Sequence, residues 1–499
     1  MPIPKEILEV KRPVNTVVAV YGKNKDRYAV KQRIGCKRVN GKNIPITGPT
    51  IGHIIDGEYV PKETVKSVST SPVDMLDWAI IEYTHRFGEP LMSELRKQYN
   101  QEDAEKILCI ALLRVCYPGI KDNELKHAYE ESFLSILYPN VALSNNTVSG
   151  FLGDLGKTYS RIIAFMRQRA AAVEAGHHLL VDGTLKSDES KVNSLSNFSR
   201  KAKTKGSKDI SVIYAYDFEK NEPICSECFP GNMLDSTAYS RFIQDNGIQS
   251  GIIVADKGFP ESVASKAFAE NPNLHYLNPI KRNSKFIKSH NLYQYERPLK
   301  SHEGTLCKKA KVEGKNKWLY SFRDIAKAAM EEQNWVKNTT DFTIEKLNAK
   351  QLSFGTIIFE CDLDLTPEEV YKAYSSRWEI ELVMRYYKSA LDLDETRVHS
   401  DYSVIGSEFL DFIASVITMR MLHDMDQSKL LEKLPYKKIM AILRRAKKVH
   451  LASEDEWFLI KMNPSQEDVL RELKLLPSLD VPAKRTPGRP RKKQRNSSI

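Results

Sequence analysis

Leu179-Leu180-Val181-Asp182-Gly183-Thr184 is the stretch on which the fold turns. Three apolar residues run without a polar break, as in a strand covered on both faces, and stop at an acid followed by a glycine. The same layout returns at Gly251-Ile252-Ile253-Val254-Ala255-Asp256-Lys257-Gly258-Phe259. Between the two lie strand-like runs over residues 210–216 and 223–229, joined by a turn at Glu219-Lys220-Asn221, and a helix expected over 236–245. Further strands are expected over 274–277 and 355–359. This alternation predicts an α/β layer fold, a mixed sheet flanked by helices.

Working outward, residues 1–65 read as a small basic β-rich module, with short strands at Val17-Val18-Ala19-Val20-Tyr21 and Tyr28-Ala29-Val30. Residues 66–175 turn helical. Ser144-Asn145-Asn146-Thr147 reads as a helix start there, and a bundle is favoured over a DNA-reading helix-turn-helix because Gly150 and Gly153 weaken a recognition helix. The α/β span expected at 176–425 is interrupted at 281–354. Its first part, Lys281 to Lys317, holds eleven Lys/Arg and three Glu and predicts an inserted, mostly β module. Helices are expected over 366–393, 408–424, 436–450 and 466–474, so residues 426–480 form a helical C-terminus, followed by a basic tail at 481–499.

Asp182 and Asp256 each follow a predicted buried strand, and ligands of open α/β sheets collect beyond strand ends. Two carboxylates brought together repel, and a divalent cation relieves the repulsion. Hard oxygen donors with an incomplete shell suit Mg²⁺. On the helix expected after Thr366-Pro367, Tyr374, Arg377, Glu381 and Lys388 fall within an arc of roughly 60° at ~100° per residue. Ala373, Ile380, Met384, Tyr387 and Leu391 form an apolar stripe beside them. The competing reading of that polar arc is a solvated face with i,i+4 ion pairs.

These residues resemble a known group. Tyr374-x2-Arg377-x3-Glu381-x6-Lys388, with Asp182-Gly-Thr and Asp256-Lys-Gly-Phe, is similar to the DDE transposases of bacterial insertion sequences that carry a Tyr-x2-Arg-x3-Glu-x6-Lys signature. The resemblance spans roughly residues 175–425; Lys257 stands where Arg is commoner. It implies an RNase H-like catalytic core with a β-rich insertion between the second Asp and the Glu. It implies Asp182, Asp256 and Glu381 as catalytic metal ligands for Mg²⁺, with Mn²⁺ able to substitute, and Tyr374, Arg377 and Lys388 as DNA contacts. It further implies double-stranded DNA as partner, as terminal inverted repeats and target, with the helical region 66–175 expected to bind the ends, and a homodimer in the paired-end complex. Trp318 and Trp335 in the insertion are candidates for holding a flipped base. The expected activity is metal-dependent phosphodiester hydrolysis and strand transfer. The alternatives are a catalytically silent DNA-binding descendant and a nuclease without strand transfer.

Composition agrees with a folded protein acting on DNA. The 499 residues carry a formal charge of +11, of which seven positive charges lie between Lys484 and Arg495. There Arg485-Thr-Pro-Gly488-Arg489-Pro490-Arg491 resembles an AT-hook, a narrow extended segment suited to an A·T-rich minor groove. No apolar run reaches the ~20 residues of a membrane span and no signal peptide is read, so no membrane partner and a cytoplasmic, nucleoid-associated location are expected. Seven cysteines are expected to be reduced thiols. Cys225-Ser-Glu-Cys228 has the spacing of half a zinc knuckle but no second pair nearby. His177-His178, just before Asp182, are weak metal candidates. No P-loop or dinucleotide fingerprint is present.

Overall fold

The computed structural model describes residues 3–21, 27–39, 42–55, 57–61, 73–188, 190, 192–199, 206–255, 265–376, 381, 385–386, 391–393, 395–396, 398–451 and 456–477. The chain divides into two compact units. One comprises Met1–Asp74 with His450–Trp457, the other Met75–Val449 with Phe458–Ile499.

The smaller unit is built on a four-stranded antiparallel sheet, Thr16–Tyr21, Arg27–Val39, Lys42–Ile55 and Glu58–Pro61 in chain order. Val18, Val30 and Ile54 form its core. Its two central strands are far longer than the short runs expected from sequence.

The larger unit holds a ten-stranded mixed sheet. Its labelled strands are β1 (His178–Ser187), β2 (Lys208–Asp217), β3 (Glu222–Pro230), β4 (Ser250–Ala255), β5 (Asn273–Pro279), β6 (Thr305–Lys311), β7 (Trp318–Asp324) and β8 (Thr356–Cys361). β2 pairs antiparallel with both β1 and β3, whereas β4 is parallel to β1 and β5 parallel to β4. β8, β7 and β6 extend the far side as an antiparallel run next to β5. The strands at the centre read as apolar runs because both sheet faces are covered.

Helices α1 (Ala79–Leu95), α2 (Gln101–Cys116), α3 (Asn145–Lys157) and α4 (Tyr159–Ala170) precede the sheet. They share one continuous core with it, from Trp78 through Phe165, Tyr214 and Ile253 to Leu443. α5 (Asp235–Asp245) leads from β3 to β4. α6 (Ile325–Asn338) and α7 (Ile344–Gln351) lie between β7 and β8, so the insertion is as much helix as strand. The Lys-rich hairpin β6–β7 fits the β expectation, but Ala328 is the one buried residue of the two helices among those described, too weak an apolar face to register as a helix in sequence.

After β8 come α8 (Pro367–Ser375), α9 (Asp401–Gln427), α10 (Tyr436–Arg445) and α11 (Pro464–Glu472). α9 is long and apolar enough for a membrane span by composition, yet 83% of its apolar window is buried inside the protein. The expected helix over 436–450 ends at Arg445, and Lys447–Leu451 is a strand instead. The helix expected over 366–393 stops short of Leu391, which is buried in irregular chain.

Candidate active site

β1 does not end at Asp182 as expected but continues through five more residues to Ser187. Asp182 is half-buried and sits opposite Tyr214 of β2. Its Oδ1 accepts a hydrogen bond from the Gly183 N–H at 2.8 Å. Directly opposed residues share a sheet face. Tyr214 is fully buried with its ring 6.1 Å from that of Phe412, so α9 covers the face that Asp182 shares. Burial, then the nearby Glu408 and Asp411 carboxylates, push the Tyr214 hydroxyl well above its ordinary pKa and keep it neutral.

Further along the same face lies Lys186, only 3% exposed. Its ammonium donates to Glu408 and, at 3.1 Å, to Asp411. Arg114 of α2, also buried, pairs with Asp411 and donates to the Ser407 carbonyl at 3.0 Å. Burial works against both cations, but the carboxylates outweigh it and hold the two pKa values above their ordinary range. A cavity of about 660 Å³ opens beside this network, lined by Arg114, Asp122, Lys186, Asp392, Glu395 and Asp411 among others.

On its other side β1 meets β4. Leu180 lies opposite Val254 and Val181 opposite Ala255, in a parallel register. Asp256, next in the chain, falls outside the described residues, as do Arg377, Lys388 and the tail residues Arg485, Gly488, Arg489, Pro490 and Arg491.

Glu381 is helical and exposed. The chain reaches it from α8, which opens with the expected capping box. Thr366 accepts from the Glu369 N–H while the Glu369 carboxylate accepts from the Thr366 N–H, with Pro367 in the first turn. Glu368 pairs with both terminal nitrogens of Arg297 at 2.7 and 2.9 Å, and this holds its pKa down at about 2. Tyr374 is half-buried with its ring 4.5 Å from that of Phe359 on β8, so the side chain expected to face DNA packs on the sheet. Beyond Glu381 the chain returns to β1, where Glu395 bridges Ser187 and the Thr396 N–H donates to the Ser187 carbonyl at 2.8 Å.

The other weighed residues resolve as follows. Trp318 is half-buried between Lys309 and Lys311, whose ammonium groups lie 4.7 and 5.1 Å from its ring. Trp335 packs on Phe342 and Phe354. Cys225 and Cys228 are three apart on β3 and therefore project to opposite faces, which rules out a shared metal. Burial raises the pKa of both thiols. Sequence reasoning passed over a mixed ligand group at the start of β1. Ligand atoms of His177, Asp217 and Glu219 lie within 4.8 Å of one another. His177 Nδ1 is 2.8 Å from Asp217 Oδ2, and the Lys220 N–H donates to Asp217 Oδ1, so these contacts also fasten the β2–β3 turn to β1. The pair of adjacent histidines was its only sequence signal.

Residues 175–404, just under half of the chain, match the family model described as Transposase DDE domain. The match supports DNA transposase function, by a DDE nuclease/transposase enzyme, for that span, and with it the use of a divalent metal. A solved structure, the cryo-EM structure of a piggyBac transposase synaptic complex with hairpin DNA, aligns at a TM-score of 0.38 and 11% identity over 81% of this chain and 84% of its own. That likeness is too slight to carry fold or chemistry across. No curated protein matches the chain.

Proposed function

We propose that the chain is a cut-and-paste transposase of the insertion-sequence class marked by the Tyr-x2-Arg-x3-Glu-x6-Lys signature, acting through Asp182, Asp256 and Glu381 on an RNase H-like core. The register of β1 and β4 carries this reading. Val181 faces Ala255 across a parallel pair, and an aspartate follows each. Neighbouring strands lie about 4.8 Å apart, so two carboxylates leaving them at this level repel unless a cation lies between. The order β3-β2-β1-β4-β5, antiparallel across the first three and parallel across the last three, supports the RNase H-like reading. The return of residues 395–396 to Ser187 supports Glu381 being carried toward the same strand.

The donor set fits the metal. Three carboxylates offer hard oxygens and no nitrogen or sulfur, which suits Mg²⁺, with Mn²⁺ a substitute. Asp182 is open enough to reach a ligand, and the Gly183 N–H fixes its Oδ1. When bound, a pair of divalent cations activates the attacking oxygen and neutralises the leaving one. Asp182 would be shared, with Asp256 and Glu381 each completing one ion. Arg377 and Lys388 would hold the phosphates flanking the scissile bond, and the chain's task is otherwise positioning. The tail at 481–499 would lie in an A·T-rich minor groove through Arg489 and its neighbours. Pairing two DNA ends calls for a homodimer.

The test is end cleavage and joining on duplexes bearing the terminal repeats that flank the gene. Wild-type protein with Mg²⁺ is expected to nick these ends and to join pre-cut ends to a target plasmid. Nicking without joined product would make the protein a nuclease; shifted DNA without a nick would make it a binding protein. Either result overturns the reading.

A further inference from the structure

The strands Arg27–Val39 and Lys42–Ile55 of the smaller unit outrun the sheet that supports them. Among the described residues, Thr16–Tyr21 pairs only with residues 27–32, and Glu58–Pro61 only with residues 52–55. From Gly35↔Ile46 through Lys37↔Ile44 to Val39↔Lys42 the two strands have, among the described residues, no strand neighbour but each other. The core of the unit, Val18, Val30 and Ile54, lies at the base of this ribbon. A bare two-stranded ribbon is marginal in water, and this one leaves Ile34, Ile44 and Ile46 at 62, 42 and 41% exposed.

Its charge says what covers it. From Arg27 to Ile55 the chain carries Arg27, Lys31, Arg33, Lys37, Arg38 and Lys42, and no acid at all. Arg33, Lys37 and Arg38 are exposed, and among the described residues none of them has a carboxylate partner. Register shifts between Val30 and Gly35 twist the ribbon where it leaves the sheet. We infer that residues 33–39 and 42–47 form an arm that lies in a groove of duplex DNA, its cations on the phosphates and the face of Ile44 and Ile46 against base edges. Two strands about 4.8 Å apart with their side chains fit a major groove about 12 Å wide. The shorter of the two segments, residues 42–47, reaches about 20 Å, the rise of about six base pairs. The inference rests on the reading of the protein as an enzyme that acts on DNA, and it moves end or flank binding from the expected helical region at 66–175 to the β-rich module before it.

Cys36 sits on the ribbon and is the exposed cysteine; Cys228 is half-buried and the other five are buried. The experiment uses the full chain and a 30-base-pair duplex in EDTA, so that no cleavage intervenes. Binding is followed against salt, and Cys36 alkylation by a bulky maleimide is followed with and without DNA. Arg33→Gln/Lys37→Gln/Arg38→Gln is expected to bind at least about tenfold more weakly, with the slope of log K against log salt reduced by about 3. DNA is expected to shield Cys36 in the wild type. An unchanged slope, or Cys36 alkylated equally fast with DNA bound, overturns the inference. So does shielding that follows protein concentration rather than DNA, which would mean a second copy covers the ribbon. Because the triple variant touches only exposed side chains and the wild-type thiol readout needs no variant, misfolding does not confuse the result. Mg²⁺-dependent nicking, measured separately, distinguishes the two readings. A wild type that nicks while the arm is inert fails the arm alone, and one that binds through the arm but never nicks fails the transposase alone.

Discussion

Asp182 and Lys186 lie four residues apart on one face of β1, and the protein treats their charges in opposite ways. Lys186 is sealed in, with Glu408, Asp411 and Arg114 closing a network in which every charge has an opposite neighbour. Asp182 stays half-open, its Oδ1 steadied by a neighbouring N–H. A buried ion pair adds little net stability over an apolar replacement, yet breaking one is costly. The Lys186 end of the strand therefore fixes how β1, α2 and α9 assemble, while the proposed function assigns the Asp182 end to a ligand. On one strand face a charged side chain is sealed into a network or left within reach of water.

The widest separation between the two is expected from Asp182→Asn. The side chain keeps its shape and the Gly183 contact but loses the charge that would hold a cation. Mg²⁺-dependent nicking should fall on the order of 10³-fold or more, with the thermal midpoint unchanged or slightly raised as carboxylate repulsion is relieved. A variant that melts early and nicks in proportion to its folded fraction would place Asp182 with Lys186 as scaffold. Lys186→Met is expected to do the reverse. Removing one partner strands Glu408 and Asp411 with a single cation, a loss of about 3–5 kcal/mol in urea unfolding. Adding Glu408→Gln to the same chain should restore part of it. If Lys186→Met is stable but inactive, the network belongs to the site.

A further carboxylate, Glu227, sharpens the contrast because it is buried and, among the described residues, has no cation at ion-pair distance. Burial lifts Glu227 from its ordinary 4.5 to about 7, with Asp245 adding to the rise. The Tyr159 hydroxyl and Asn246 amide donate to it at 2.7 and 2.8 Å, and with Arg241 nearby they pull the other way. The folded chain thus keeps a proton that the unfolded chain loses above pH 4.5. Stability should decline as pH rises from about 4.5 to 7 and level off above, by about 3 kcal/mol in all. Glu227→Gln should abolish that decline. Parallel stability–pH curves for the two proteins would show that Glu227 does not titrate in this window.

How much of this is legible in the sequence depends on distance along the chain. β1, β4 and β5 were readable because strands covered on both faces announce themselves as apolar runs, and α8 because Thr366-Pro367 caps it. The two Asp positions stand out because each follows an apolar run, and the Glu through its spacing from Tyr374, Arg377 and Lys388. Lys186 was unreadable, since Glu408 and Asp411 lie 222 and 225 residues away. The ribbon was cut short at Val30 because Arg33-Ile34-Gly35-Cys36-Lys37 shows no dry face, and it has none. α6 and α7 were missed for a related reason, their apolar residues Ile325, Met330 and Ile344 being exposed. The spacing that predicts helix over 436–450 does not register the end of α10 at Arg445 or the strand Lys447–Leu451 that follows.

Thr366→Ala gives the smallest effect and the finest division between scaffold and site. The hydroxyl satisfies the Glu369 N–H at the start of the helix that points the chain toward Glu381. Its loss should cost about 1 kcal/mol, the usual worth of an N-cap, while the Arg297–Glu368 pair and the Tyr374 ring on Phe359 still hold α8 to the sheet. If those anchors suffice, nicking per folded molecule is unchanged and only the melting midpoint moves, by a few degrees at most. If the cap also sets where Glu381 lies, nicking falls further than the folded fraction does while DNA binding in EDTA stays at its wild-type value. The second pattern would add α8 to the end of β1 that the proposed function gives to the reaction; the first would leave α8 with Lys186 on the structural side.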